Sequence, residues 1–553
     1  MPTAMRTIPL LLAASLTAAP ALAAPTLLID HANGLQVSAA GKIERFTGLL
    51  IGGDGRVVKI LKASAPRPPA AQRIDVHGAT LLPGLIDAHG HVMGLGQGLL
   101  ALDVTGTRSI VEMQARLKAY AAANPSLKWI VGRGWNQELW SEKRMPTTAD
   151  IDAAVRDRPV WLERVDGHAA VGNSRALAEA GITAATKAPA GGRIENGLFT
   201  DNARGLVDAH IPAPAAAELD AALGAAQQAL LADGLTAVAD MGTDADGWAA
   251  MRRAGDSGRL KVRIMSYAFG IESMNRLVPN GPTPWLYAGR LHMGGVKLYA
   301  DGALGSRGAW LKADYSDRPG TRGLPLLDPP TLNAAVAKAT ARGLQVATHA
   351  IGDAANAMVI DAYEQANRAH PGDRRWRIEH AQVVDPIDIP RIARSGIIAS
   401  MQPTHQTSDM NMAGDRLGEA RLAGAYAWRT IRASGARMAF GSDFPVESPN
   451  PFPGLSAAIS RSDPNGQPPG GWRPQERMTL PEALAGFTRW AAYSGFAEKQ
   501  IGSLDPGHYA DFILIDRDPT RVDAVSLAAT RVDETWVGGK RVYARASGGT
   551  PAR

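Results

Sequence analysis

Leu82 to Val92 reads L-P-G-L-I-D-A-H-G-H-V, a short apolar run that ends on two histidines one residue apart. Side chains alternate faces along a strand, so Asp87, His89 and His91 point to one side while Ile86, Ala88 and Gly90 point to the other. Two imidazoles then reach the same point in space, and Gly90 between them lets an ion or another backbone come close. Neutral imidazole suits Zn, Fe, Ni or Mn. An H-x-H pair by itself is a weak signal, more often plain surface or core histidine than a ligand pair, so its meaning rests on what accompanies it. Of the 12 histidines, His89, His91, His349 and His380 close short apolar runs, and Lys297 and Asp443 close two more. The lysine, in G-G-V-K-L-Y-A-D-G, is costly to bury unless it is paired or chemically altered. As a free amine it can add carbon dioxide, and the resulting carbamate can bridge two cations.

The chain contains no Cys, which excludes disulfides, thiolate ligands and cysteine nucleophiles together. Catalysis must come from His, carboxylates, Ser, Lys or a metal. Hydrophobic residues at 45% and charged residues at 20% describe an ordinary globular chain. The net charge of +6 is spread among acids with no basic run, so no nucleic-acid partner is expected. A mean hydropathy of -0.12 and the lack of a second long apolar segment argue against a membrane span in the mature chain. Met1 to Ala23 carries Arg6, the apolar stretch Ile8 to Ala19 and then A-L-A, the pattern of a signal-peptidase site. The alternative, an anchor helix, has too short an apolar run. Residues 1–23 are therefore expected to be a cleaved signal peptide, with export to the periplasm or beyond.

The elements that must position these side chains show a rhythm. From Gly234 onward, apolar runs alternate with Ala-rich helical stretches: Thr236 to Asp240, Val262 to Tyr267, Gly295 to Tyr299, Gln345 to His349, Arg377 to His380, Ile397 to Met401 and Met438 to Asp443. With the run at Leu82 they make eight strands of an α/β chain, a (β/α)8 TIM barrel whose site lies where the strands end. Both ends of the chain are β-rich, with a hairpin signal at Asp54-Gly55, and a small composite β-sandwich domain is expected from residues 24–81 and 499–553. Residues 82–98 carry the first barrel strand, 99–222 an inserted α/β subdomain or lid, and 223–498 the rest of the barrel. Thr479 and Glu482 fit a capping box, and the Pro/Gly-rich loop Ser462 to Pro474 is expected at the mouth of the site.

A-H-G-H, V-K-L-Y-A-D-G, T-H-A-I-G-D, I-E-H-A-Q and F-G-S-D-F-P-V, in this order, resemble the amidohydrolase superfamily of metal-dependent hydrolases. D-G-A-L-G-S-R, H-A-I-G-D and G-S-D-F-P-V-E-S-P-N-P are similar to the branch that includes N-substituted formamide deformylases. The resemblance covers nearly the whole mature chain, and the returning segment G-S-L-D-P-G-H-Y-A-D-F agrees with it. It implies a site of two metal ions, expected to be Zn: His89, His91 and Asp443 on one, His349 and His380 on the other, and Lys297 bridging as a carbamate formed with carbon dioxide. An unmodified Lys297 beside a single metal is the alternative. A cation, or two about 3.5 to 4 Å apart, lowers the pKa of a bound water toward ~7 and polarises a carbonyl. Asp443 is placed to take the proton and pass it to the departing nitrogen, which is a very poor leaving group as an anion. The competing role for Asp443 is a helix N-cap.

Trp135, His168, Arg307, Gln402 and His405 are substrate-pocket candidates. Each has a plainer role open to it: a core aromatic for Trp135, a hydrogen-bonded loop histidine for His168, and a surface salt bridge for Arg307 in place of a bidentate grip on a substrate carboxylate. The expected activity is hydrolysis of a non-peptide C–N bond in an N-acyl or N-formyl amide or a cyclic amide. An esterase, lactonase or phosphotriester hydrolase could use the same metal site, and a binding or regulatory protein could keep the barrel without turnover. The expected partner is a small-molecule amide, with a homodimer as a possible assembly.

Overall fold

The computed structural model describes residues 25–546, so the expected signal peptide lies outside the described residues. Eight parallel strands form the central sheet: β1 (Leu85–Gly90), β2 (Leu235–Thr243), β3 (Arg263–Phe269), β4 (Leu291–Tyr299), β5 (Gln345–Ala350), β6 (Arg377–His380), β7 (Ile398–Met401) and β8 (Arg437–Phe440). Each pairs with its sequence neighbour. The two edges meet beyond the strand ends, where the His91 amide donates to the Phe444 carbonyl at 2.8 Å and the Asp443 amide to the His89 carbonyl at 2.7 Å, so the sheet is a nearly closed barrel. Every residue of β1, β5, β6 and β7 is buried, including the polar side chains of Asp87, His89, His349, Arg377 and Glu379, which must therefore find their partners inside the barrel.

The run from Leu82 to Val92 divides between two sheets. Thr80–Pro83 belongs to the terminal sheet and Leu85–Gly90 to the barrel, with Gly84 between them lying so close to Thr236 that a Cβ would stand 2.2 Å from its hydroxyl oxygen. The terminal sheet draws on both chain ends, Pro25–Val37 to Thr80–Pro83 and Phe512–Ile515 to Lys540–Ala544. Its eight strands pair continuously, because Thr80–Pro83 bonds on one side to Pro25–Val37 and on the other to Phe512–Ile515, and residues from both chain ends share one apolar core. The Asp54-Gly55 turn joins Ile43–Gly52 to Val57–Leu61 antiparallel, as its residues require.

The insertion folds around its own six-stranded sheet, with strands from Leu102–Asp103 to Leu198–Asp201 and an apolar core that includes Trp135, Trp140 and Leu162. Ser109 caps the helix Ile110–Ala123 by accepting from the Glu112 amide. The Ala-rich helix Ala216–Ala232, whose first half falls in the expected insertion 99–222, packs instead on the helix Val92–Leu100 of the barrel: a Cβ on Gly96 would stand 1.9 Å from the Ala222 carbonyl oxygen. At the other end of the barrel, Thr479 and Glu482 form the expected capping box of the helix Leu480–Gly486. No helix among the described residues is long and apolar enough to cross a membrane.

Candidate active site

The expected ligands converge at the C-terminal mouth of the barrel. Nitrogen or oxygen atoms of His89, His380 and Asp443 all lie within 4.8 Å of one another. Asp443 is the hub. Its Oδ1 stands 3.0 Å from His91 Nε2 and 3.3 Å from His89 Nε2, and its Oδ2 stands 3.9 Å from His380 Nδ1 and 3.7 Å from His405 Nε2. Burial would raise its carboxyl, but the charge of His89 and the hydrogen bonds of His89 and His91 hold it well below the usual carboxylate range. Asp443 sits at φ +62° and His380 at φ +75°, a left-handed region that non-glycine residues adopt infrequently. Asp443 caps no helix; its carboxylate is spent on imidazoles.

Two groups enforce this arrangement. Asp87, fully buried on β1, accepts from the His89 amide at 2.9 Å and from the Ser442 hydroxyl at 2.7 Å, tying the end of β1 to the residue before Asp443. Burial pushes its carboxyl up to about 7 against these hydrogen bonds. Glu379, also fully buried, accepts from His89 Nδ1 at 2.6 Å, which leaves His89 Nε2 as the atom that faces the centre. Its charge is matched by Arg377 on the same face of β6, Nε to Oε1 at 2.6 Å and Nη2 to Oε2 at 3.0 Å. Burial would raise the Glu379 carboxyl; the Arg377 charge and the His89 hydrogen bond outweigh it and bring it far below the ordinary range.

Lys297 is buried, with Nζ 3.2 Å from His89 Nε2 and 4.8 Å above the Tyr299 ring. Among the described residues no carboxylate comes within 4.0 Å of it. Burial brings its ammonium down to about 8, with Glu379 and Asp443 opposing. His349 adjoins the cluster, its ring 4.6 Å from that of His380, while its Nε2 turns to the Gly302 carbonyl and to Asp301 Oδ1, each at 3.4 Å. Burial and then the charges of His168 and Lys297 keep it far below the usual histidine range.

The donor set suits a borderline divalent cation: imidazole nitrogens and one carboxylate, buried and mutually close. His405 Nε2 is buried among them without a hydrogen-bond partner. The centre opens into a cavity with two branches, of about 670 and 1090 Å³, which share His168, His349, His380 and Asp443. The smaller branch runs past Glu138, Asp409 and Glu447, the larger past Phe269, Ile271 and Leu326.

The pocket candidates separate. His168 and His405 reach the cavity. Gln402 is buried and its Oε1 accepts from His380 Nδ1 at 2.8 Å, so it orients a ligand and touches no substrate space. Trp135 does not line the cavity: it is fully buried in the core of the insertion, its Nε1 donating to the Leu162 carbonyl at 2.8 Å, because an indole with its one polar atom satisfied packs best away from water. Arg307 is also elsewhere, paired with Asp317 at 2.7 Å, and holds no position for a substrate carboxylate. Of the loop 462–474, Asp463 lines the cavity. Asp87 was expected on the histidine face but without a role, while Arg377 and Glu379 escaped sequence reasoning, although two charged residues two apart in the short strand R-I-E-H are a signal of a buried pair on one face.

The amidohydrolase family model matches residues 72–543. The chain is 33% identical to protein LONG AFTER FAR-RED 3 of Arabidopsis thaliana, over 89% of this chain and 87% of that protein. It is 26% identical to the N-substituted formamide deformylase of Arthrobacter pascens, over 94% of this chain and 98% of that protein. A metal-dependent hydrolase from Pyrococcus horikoshii OT3, itself described as uncharacterized, superposes with a TM-score of 0.74 at 27% identity, covering 90% of this chain and 99% of that one. With the imidazole and carboxylate cluster at the strand ends of a nearly closed eight-stranded barrel, these matches establish that the chain belongs to the amidohydrolase family, a family of metal-dependent hydrolases.

Proposed function

We propose that the chain is an exported amidohydrolase that cleaves a non-peptide C–N bond, in an N-acyl or N-formyl amide or a cyclic amide. The observation that carries this is the Asp443 carboxylate held among His89, His91 and His380 at the base of the cavity. The name of the Arthrobacter relative supports the amide over other acyl groups. His89, His91 and Asp443 would hold one zinc ion and His349 and His380 a second, with Lys297 bridging as a carbamate; a buried amine without a carboxylate partner supports that modification. Such ions, when bound, acidify water and polarise a carbonyl. Asp443 accepts the proton of the attacking water at a carboxylate oxygen and returns it to the departing nitrogen, which an ester's alkoxide does not require. Gln402 and Glu379 hold His380 and His89 in orientation, and Arg133, Asp166 and His168 of the insertion form part of the cavity wall.

The test is metal analysis of the purified mature chain together with a panel of matched amides and esters, repeated for Asp443→Asn. Amide turnover that falls in Asp443→Asn far more than any ester turnover supports the reading. Ester or phosphotriester turnover alone, equal in both proteins, replaces it with the esterase reading, and a metal-free chain with no turnover replaces it with a binding protein. Export predicts a mature N-terminus at Ala24 or Pro25, measured as intact mass outside the cytoplasm.

A further inference from the structure

The insertion supplies part of the cavity wall. His168 stands in the turn between the strands Val160–Arg164 and Ala169–Gly172. Asp166 Oδ1 accepts its backbone N–H at 3.0 Å, Gly167 before it adopts φ +71°, and Arg204 donates to the Gly167 carbonyl. The ring is fixed as firmly as the backbone. His168 Nδ1 lies 2.8 Å from Asp201 Oδ1, and a carboxylate accepts only, so Nδ1 carries its hydrogen and Nε2 is the atom left over. That edge faces the cavity: His168 lines both branches, and its ring centroid is 5.1 Å from that of His349. A histidine kept only for packing would have both nitrogens satisfied within the protein.

Asp201 is built for this partner. Its side chain is fully buried, it stands at φ +50°, and its own N–H donates to the His168 carbonyl at 2.9 Å. The loop after β4 makes room for it. A Cβ on Gly302 would stand 2.7 Å from Asp201 Oδ1, and one on Gly308 2.8 Å from Oδ2. The glycines of D-G-A-L-G-S-R-G thus seat a carboxylate of the insertion against the barrel, beside the Lys297 strand. The His168 ring thus lies beside His349, an expected metal ligand, in the cavity that His380 and Asp443 also line.

We propose that His168 is a catalytic residue supplied by the insertion, its Nε2 meeting the scissile amide of the substrate, and that Asp201 is the positioning residue that fixes its ring. This rests on the amidohydrolase reading above. The experiment uses the metal-loaded full chain, the best amide of the panel, and the variants His168→Ala, His168→Gln, Asp201→Asn and the double variant Asp201→Asn with His168→Ala. Metal content and thermal midpoint are measured beside kcat and KM. The expected result is a loss in kcat/KM of roughly a hundredfold for His168→Ala, the scale of one directed polar contact at the reacting centre, with metal content unchanged. Asp201→Asn should cost about tenfold in the parent and less than about twofold once His168 is already Ala, because a residue that acts only through another adds nothing after that other is gone. Should His168→Ala fail to fold, His168→Gln carries the same comparison. Three results overturn the proposal: activity within about threefold of the parent in the folded His168 variant, loss of metal in that variant, which would make His168 a ligand, or an Asp201→Asn cost equal in both backgrounds. A parent with no turnover of any amide or ester overturns the hydrolase reading itself, and this inference with it.

Discussion

Replacing Glu379 by Gln perturbs two neighbours that can be measured separately. In the parent, both carboxylate oxygens are engaged, Oε1 by Arg377 Nε at 2.6 Å and Oε2 by Arg377 Nη2 at 3.0 Å and His89 Nδ1 at 2.6 Å. Glutamine keeps the shape but has one acceptor, so it must fail one of these donors, and the Arg377 charge is left uncompensated where neither side chain has any exposure. Arg377 keeps neutral acceptors, the Ala88 carbonyl at 2.5 Å and the Ser400 hydroxyl at 2.8 Å, and these soften the loss without supplying a charge. Breaking a buried pair on one side costs about 3–5 kcal/mol. Chemical denaturation of the metal-free protein should therefore show a loss in this range. The second effect is on the metal. His89 loses the carboxylate that selects its tautomer, and affinity for zinc, read by competition with a chelator, should fall about 10- to 100-fold. Replacing both partners, Glu379→Leu with Arg377→Met, should recover most of the stability and none of the metal affinity, since the buried charge is gone but His89 is still unsupported. Stability within about 1 kcal/mol of the parent in Glu379→Gln, together with unchanged zinc affinity, would refute the account of this pair.

Lys297→Ala should lower both metal content and turnover, with partial rescue by a small carboxylic acid; Lys297→Arg should rescue neither, and full activity with full metal content in the Arg variant would falsify the carbamate. Arg307→Ala should leave KM for any carboxylated amide unchanged and lower the thermal midpoint slightly, because its partner is Asp317; a KM increase confined to carboxylated amides would return it to the pocket. The insertion should show an acid-sensitive start to the helix Thr148–Asp152, because hydrogen bonds from Arg144 bring the Asp150 carboxyl down to about 2. A depressed carboxyl contributes stability that is present above its unfolded value near 3.8 and is lost as pH falls through about 2. With Arg144 half exposed, this is worth about 1 kcal/mol after screening. Tryptophan fluorescence of Asp150→Asn across that window should lack the corresponding part of the acid transition, and an unchanged transition would remove the pair from the account.

How much of this was legible in one dimension depends on range. The strand ends, with His89, His91, Lys297, His349, His380 and Asp443, could be found from the sequence because short, largely apolar runs recur between Ala-rich helical stretches and the polar residues gather where those runs end. The hairpin at Asp54-Gly55 and the capping box at Thr479 were legible for a similar reason, since each is a bargain among residues fewer than about five apart. The partners of those residues were not. Glu379 meets His89 across 290 positions and Asp87 meets Ser442 across 355, and no local period encodes such a pairing. The same holds for the pocket. Trp135, His168 and Arg307 sat in equally suggestive polar surroundings, yet packing sent Trp135 into a core, spent Arg307 on Asp317 and left only His168 facing the metal site. Composition and period determine which segments are strands and helices; which charged side chain is consumed by a distant partner, and which is left free to face a substrate, is settled only when the barrel closes and the insertion comes to rest on it.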